Sequence, residues 1–222
     1  MEFLIQTISL SQCTHLIYRN GILDKNLLIP KWREEHYNSD NFGELQSTGV
    51  KVILSIGGWD DSSDDSWSRM VLNPESRQNF VQEAYDFIRN SNFDGLQLDW
   101  SYPVCWQVNC ARGNPAEKQG FAELIQELSR KFKPNQLLLS AIVSPVRDII
   151  IRAYDVPTLA DNLDWITVLT YSFEGPWDDK TSYGAASMYY KSSMDYWYSL
   201  GVPAEKLIMA LPLFGHSYRL LN

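Results

Sequence analysis

The stretch DGLQLDWSYP, residues 94–103, brings together residue types that could do chemistry. On a strand, alternate side chains share a face. Gln97, Asp99 and Ser101 then form a polar row, with Leu96, Leu98 and Trp100 as an apolar stripe behind it. A carboxylate, an amide and a hydroxyl at a strand end can orient a polar ligand. General acid catalysis asks for more, a carboxylic acid held where it can give a proton, and this row carries one acid only. It reads either as an enzyme site or as a site that resembles one.

Such a row needs a scaffold, and the surrounding sequence alternates strand and helix signals. Candidate strands are 14–19, 50–56, 95–100, 137–143, 165–171 and 206–213, short, apolar and rich in β-branched residues, as in a parallel sheet. Residues 74–92 place Phe80, Ala84, Phe87 and Ile88 on one helical face behind an Asn73 cap and Pro74. Residues 115–132 repeat the device, with Asn114 as cap, Glu117 closing a capping box, and Phe121, Leu124, Ile125, Leu128 and Phe132 as the stripe. A shorter helix ends at Gly49, another covers about 186–200 before Gly201, and 149–163 is helical around Pro157. This alternation implies βαβ units. A doubly wound sheet would carry a Gly-rich phosphate loop after its first strand, and none is present. A TIM-type barrel gathers its polar residues at C-terminal strand ends, as Ser55 with Trp59, Asp99 with Ser101, and Tyr171 with Ser172 do. The expected fold class is α/β, a (β/α)8 barrel, incomplete because six strands stand where a closed barrel has eight.

Composition narrows the function. At 222 residues, 45% apolar and 21% charged, the chain can bury a sizeable core. Eight Trp and twelve Tyr supply either core filler or a stacking surface for sugar rings, and composition alone favours the filler. A net charge of −8 without a Lys/Arg cluster argues against nucleic acid. Asp60, Asp61, Asp64 and Asp65, interleaved with Ser, read as a solvated loop. No apolar run approaches the roughly 20 residues of a membrane span. Segment 1–12 is left unassigned: it has few apolar residues, Glu2 stands where a signal peptide wants positive charge, and no signal peptide is assigned. Of the three cysteines, Cys105 and Cys110 are close enough to close a small loop, and the odd count leaves one thiol over. No metal or cofactor is expected, since no His sits at ligand spacing to these cysteines.

The runs SIGGWDDS (55–62), FDGLQLDWSYP (93–103), LTYSFEGPW (169–177) and LPLFGHSY (211–218) together resemble glycoside hydrolase family 18 chitinases, and YPVCWQVNC (102–110) resembles the insect subgroup. The resemblance covers residues 13–222. It implies a β/α barrel entered at the family's second strand and left after its seventh, without the first and eighth strands or the α+β insertion. It also pairs Cys13 with a residue on the absent first strand. Two open sheet edges would follow, a liability that segment 1–12 or a partner chain would cover, unless the chain is a piece of a longer one.

In this family the substrate's acetamido oxygen attacks the anomeric carbon, while one acid protonates the leaving oxygen and a neighbouring carboxylate steadies the acetamido group. The motif Asp-x-x-Asp-x-Asp-x-Glu supplies them. Here those places hold Asp94, Gln97, Asp99 and Ser101, so the proton donor is a serine and no catalytic set is intact. Tyr171 is retained, but Ser172 replaces the acid after it. Arg19 and Asn20 replace Ala-Phe after Tyr18, and Phe214, Gly215 and His216 replace Tyr-Gly-Arg. Glu174 matches no acid of the family set, and His216 reads as a surface residue. The resemblance assigns substrate contacts to Trp59, Asp99, Tyr102, Tyr171 and Trp177, with Trp100 in the core. It implies an extracellular chitinase-like protein that binds chitin or chito-oligosaccharides without cutting them. A weakly active chitinase is the alternative.

Overall fold

The structure, a computed structural model, describes residues 13–32, 42–173 and 187–215. Along the chain run β1 (His15–Leu23), β2 (Pro30–Trp32), α1 (Phe42–Ser47), β3 (Lys51–Gly57), α2 (Ser66–Leu72), α3 (Pro74–Asn90), β4 (Gly95–Asp99) and α4 (Glu117–Phe132). Then follow β5 (Leu138–Val143), α5 (Arg147–Ala153), α6 (Val156–Asn162), β6 (Trp165–Val168), α7 (Ser187–Ser199) and β7 (Leu207–Met209).

Six of the strands are parallel and lie in sequence order, β1-β3-β4-β5-β6-β7. They are the six read from the sequence. The seventh, β2, was not foreseen: β1 runs four residues beyond the expected strand end, through a register shift between Tyr18 and Gly21, and β2 folds back antiparallel on it. Three residues ending in a Trp carry no periodic signal, so the hairpin is decided by packing. Trp32 stands 4.6 Å from the Phe87 ring, which covers it with α3.

The sheet is curled. In a flat sheet β1 and β6, four strands apart, would lie about 19 Å from each other, yet the rings of His15 and Trp165 are 5.0 Å apart. Both residues therefore face a common interior. Among the described residues no strand pairs β7 with β1 or β2, so the barrel is incomplete.

The outer face carries the core. Leu54, Leu96 and Leu139 are paired across β3, β4 and β5 and are buried beneath the helices. Trp100 stacks on Trp67 at 5.7 Å and meets the edge of Phe121, which settles its core placement. Asn73 caps α3 by accepting from Glu75 and Ser76 N–H, and Pro74 opens the helix. The stretch around Pro157 is two helices, with Asp155 capping the second and Pro157 in its first turn, where a missing N–H costs nothing.

Candidate functional site

The site is built where β4 ends beside β3, with β1 on the far side of β3. Pairing puts Ser55, Gln97 and Ser140 in one inward row, with Asp99 one step further along beside Gly57. Gly57 is required there. It sits at φ +108°, and a Cβ would lie 2.3 Å from the Asp99 carbonyl oxygen. That carbonyl accepts from Gly58 N–H at 2.6 Å, which locks the SIGGW turn onto the end of β4.

Asp99 is buried, its side chain 3% exposed, and its carboxylate is met by Arg19 at 2.6 Å from β1. A buried carboxylate needs such a partner. Arg19 faces inward because its neighbour Tyr18 pairs with Leu54 on the outward side. The sequence offered a usable sign of this contact, a lone cation in an apolar strand two strands away from a lone acid. Gln97 is also buried and reaches the other way, its amide donating to Thr167 Oγ1 on β6 at 3.3 Å.

Ser101 is buried, and its backbone is held on both sides. Its N–H donates to Ser62 Oγ at 2.8 Å, and its carbonyl accepts from Gln107 N–H at 2.6 Å. Burial first, then the nearby Asp99 charge, push the Tyr102 phenol far above its ordinary range. Tyr102 is buried. Tyr171 is half-buried, with its phenol raised by burial, lowered by Arg19 and raised by Asp99. Its ring meets the Phe214 edge at 5.8 Å. Trp59 is 48% exposed at the rim.

Asp94 is not brought to this place. Five residues before Asp99, and so roughly 16 Å along the strand, it accepts from Val52 N–H, Gln46 and Lys51. Burial raises its carboxyl, but these donors together hold it below the ordinary value. Trp177, Glu174 and His216 lie outside the described residues.

The loop after β4 supplies what the sequence reading missed. Cys105 and Cys110 are disulfide-bonded and Cys13 is free. Glu117, read as half of a capping box, does accept from Asn114 N–H at 2.9 Å. It also takes Val104 N–H at 2.7 Å, Trp106 Nε1–H at 3.0 Å and Ser68 Oγ–H at 2.7 Å, so one buried carboxylate holds the loop to the barrel. Gln107 in turn donates to the Trp59 carbonyl at 3.0 Å, joining loop and rim. The acidic run is not wholly solvated, which corrects the sequence reading. Asp61 is buried and accepts from Leu23 N–H and Trp67 Nε1–H, because an inward carboxylate there satisfies two buried donors. Among the described residues no group of three or more His, Cys, Asp or Glu could hold a metal, and no helix is long and apolar enough to cross a membrane.

The profile of glycosyl hydrolases family 18 matches residues 2–222. The chain belongs to this family. Probable chitinase 10 of Drosophila melanogaster is 41% identical over all of this chain, which spans 10% of its length. Chitinase-3-like protein 2 of Homo sapiens is 32% identical over all of this chain, which spans 60% of it. Catalytic domain 2 of the Ostrinia furnacalis Group II chitinase superposes with a TM-score of 0.83 at 40% identity, covering 91% of this chain and 57% of that one. A mutant of that domain has been solved with penta-N-acetylchitooctaose. Family 18 relatives thus include named chitinases and a chitinase-like protein, and the barrel-type fold is common to them.

Proposed function

We propose that this family 18 chain is a chitinase-like protein without catalytic turnover that binds chitin or N-acetylglucosamine oligosaccharides. The observation that carries the reading is the end of β4. A serine stands where the family resemblance puts the proton donor, its backbone held by Ser62 and Gln107, and the surviving Asp99 is held by Arg19. A hydroxyl of ordinary acidity cannot protonate a glycosidic oxygen near neutral pH, and a general acid supplies about 10²–10⁴-fold in rate. Trp59 at the rim and the half-buried Tyr171 offer apolar ring faces and a hydroxyl to a sugar. The Cys105–Cys110 disulfide fits an oxidising, extracellular setting.

Titration with N-acetylated chito-oligosaccharides, followed by Trp fluorescence, should give a saturable change at or below millimolar ligand, with no release of a chromogenic leaving group above the buffer rate. A flat titration rejects the binding reading. The second reading, weak hydrolysis, is favoured by the retained Asp99 and Tyr171. It requires measurable release that disappears in Asp99→Asn.

A further inference from the structure

We propose that Arg19 sets what the cleft accepts: by occupying the Asp99 carboxylate it withholds that acceptor from an N-acetylated sugar, so such sugars bind only in competition with the protein's own ion pair. The inference rests on the reading that the cleft takes these sugars, and it adds a lock to that site. Gln97 and Ser101, the polar neighbours of Asp99 on β4, are neutral and cannot share a proton with it. A carboxylate buried to this degree is unfavourable unless a cation or several donors meet it. Arg19 supplies the cation from two strands away, at 2.6 Å.

The exposures give the pair a direction. The Arg19 side chain is 58% exposed and that of Asp99 only 3%, so the guanidinium lies on the solvent side of the acid. Arg19 makes one hydrogen bond among the described residues, that to Asp99, and its side chain is largely exposed. The Tyr171 phenol, raised mainly by burial, is also lowered by the Arg19 charge and raised by that of Asp99. The entrance therefore presents donors, Arg19 N–H and a phenol, while the strongest acceptor is covered. An acetamido N–H approaching the floor meets a cation in place of a carboxylate. Because one partner is exposed, the pair is weaker than a fully buried one and is displaceable, which makes it a lock on affinity.

The test compares the wild-type chain with Arg19→Gln, Arg19→Lys and the double variant Arg19→Gln/Asp99→Asn, each titrated with N-acetylated chitohexaose and read by Trp fluorescence and calorimetry. The lock predicts that Arg19→Gln binds about tenfold tighter than wild type, that Arg19→Lys, which keeps the charge, stays near wild type, and that the double variant loses the gain. Equal or weaker binding by a folded Arg19→Gln overturns the lock; if wild type still binds, the sugar-binding reading survives. Binding by Arg19→Gln with none by wild type supports the lock and removes the wild-type binding reading. Silence from both overturns both. If Arg19→Gln does not melt cooperatively, Arg19→Lys decides: it leaves the lock standing at wild-type affinity and overturns it by binding tighter.

Discussion

Ser101 and Asp99 stand two residues apart, yet they are held in different ways, one by its backbone, the other by a cation from β1. Replacing Ser101 by Glu inserts a larger acid into a buried slot beside an already paired Asp99. We expect Ser101→Glu alone to gain far less than the about 10²–10⁴-fold that a placed general acid provides, measured on a chromogenic chito-oligosaccharide. Recovery near that full factor would show that the other departures are immaterial. Asp94 makes a different prediction, about stability. Its folded carboxyl lies below its ordinary value, so its contribution is complete above about pH 4, the unfolded value, and fades as pH falls through the folded one. Asp94→Asn should lower the melting temperature at pH 7 and lose that deficit below about pH 4. The alternation of this strand was legible residue by residue. The role of Asp94 was not, because a motif records spacing while hydrogen-bond donors come from β3 and α1.

At the scale of elements, the loop between β4 and α4 is the part most dependent on a single side chain. Four donors converge on Glu117, from α2, the loop and the helix cap. Glu117→Ala would leave buried N–H groups without acceptors, and we expect a loss of roughly 2–4 kcal/mol in denaturant unfolding, with weaker sugar binding through the displaced Trp59 rim. Unchanged stability would mean that the loop is held elsewhere. Sequence reading saw Glu117 as a local cap because a capping box is written in four consecutive residues, whereas Ser68 lies far off in the chain. Strands and helices with a clear period were readable. Helix α2, a single seven-residue element rich in Ser, and the hairpin strand β2 were not, since neither is long enough to show a period.

For the whole molecule, curvature is what turns a row of strands into a site. The contact of His15 with Trp165 crosses four strand spacings that a flat sheet would keep apart. Ile208, Leu211, Leu213 and Phe214 are exposed on and after β7, the edge strand among the described residues, an apolar edge of the kind that promotes association. Leu211→Lys with Leu213→Lys should raise the concentration at which the protein stays monomeric in sedimentation, with little change in melting temperature. Buried phenols give a global signature. Tyr102 and Tyr154 are both pushed far above the ordinary phenol range by burial. Folded protein therefore holds more protons than unfolded above about pH 10, and stability must fall as pH rises beyond it. Absorbance at 295 nm should show phenols that ionise only as the fold is lost.

Sequence by itself determined the six parallel strands and the Asn73-capped helix α3. These follow from short-range periodicity and spacing, which the chain carries locally. Only the tertiary structure decided that Asp99 is paired with Arg19, that Asp61 and Glu117 are buried acceptors, and that Asp94 serves the far end of the strand. Each of these depends on donors that arrive from distant segments when the sheet curls, and a buried charge has no role until its partner is in place.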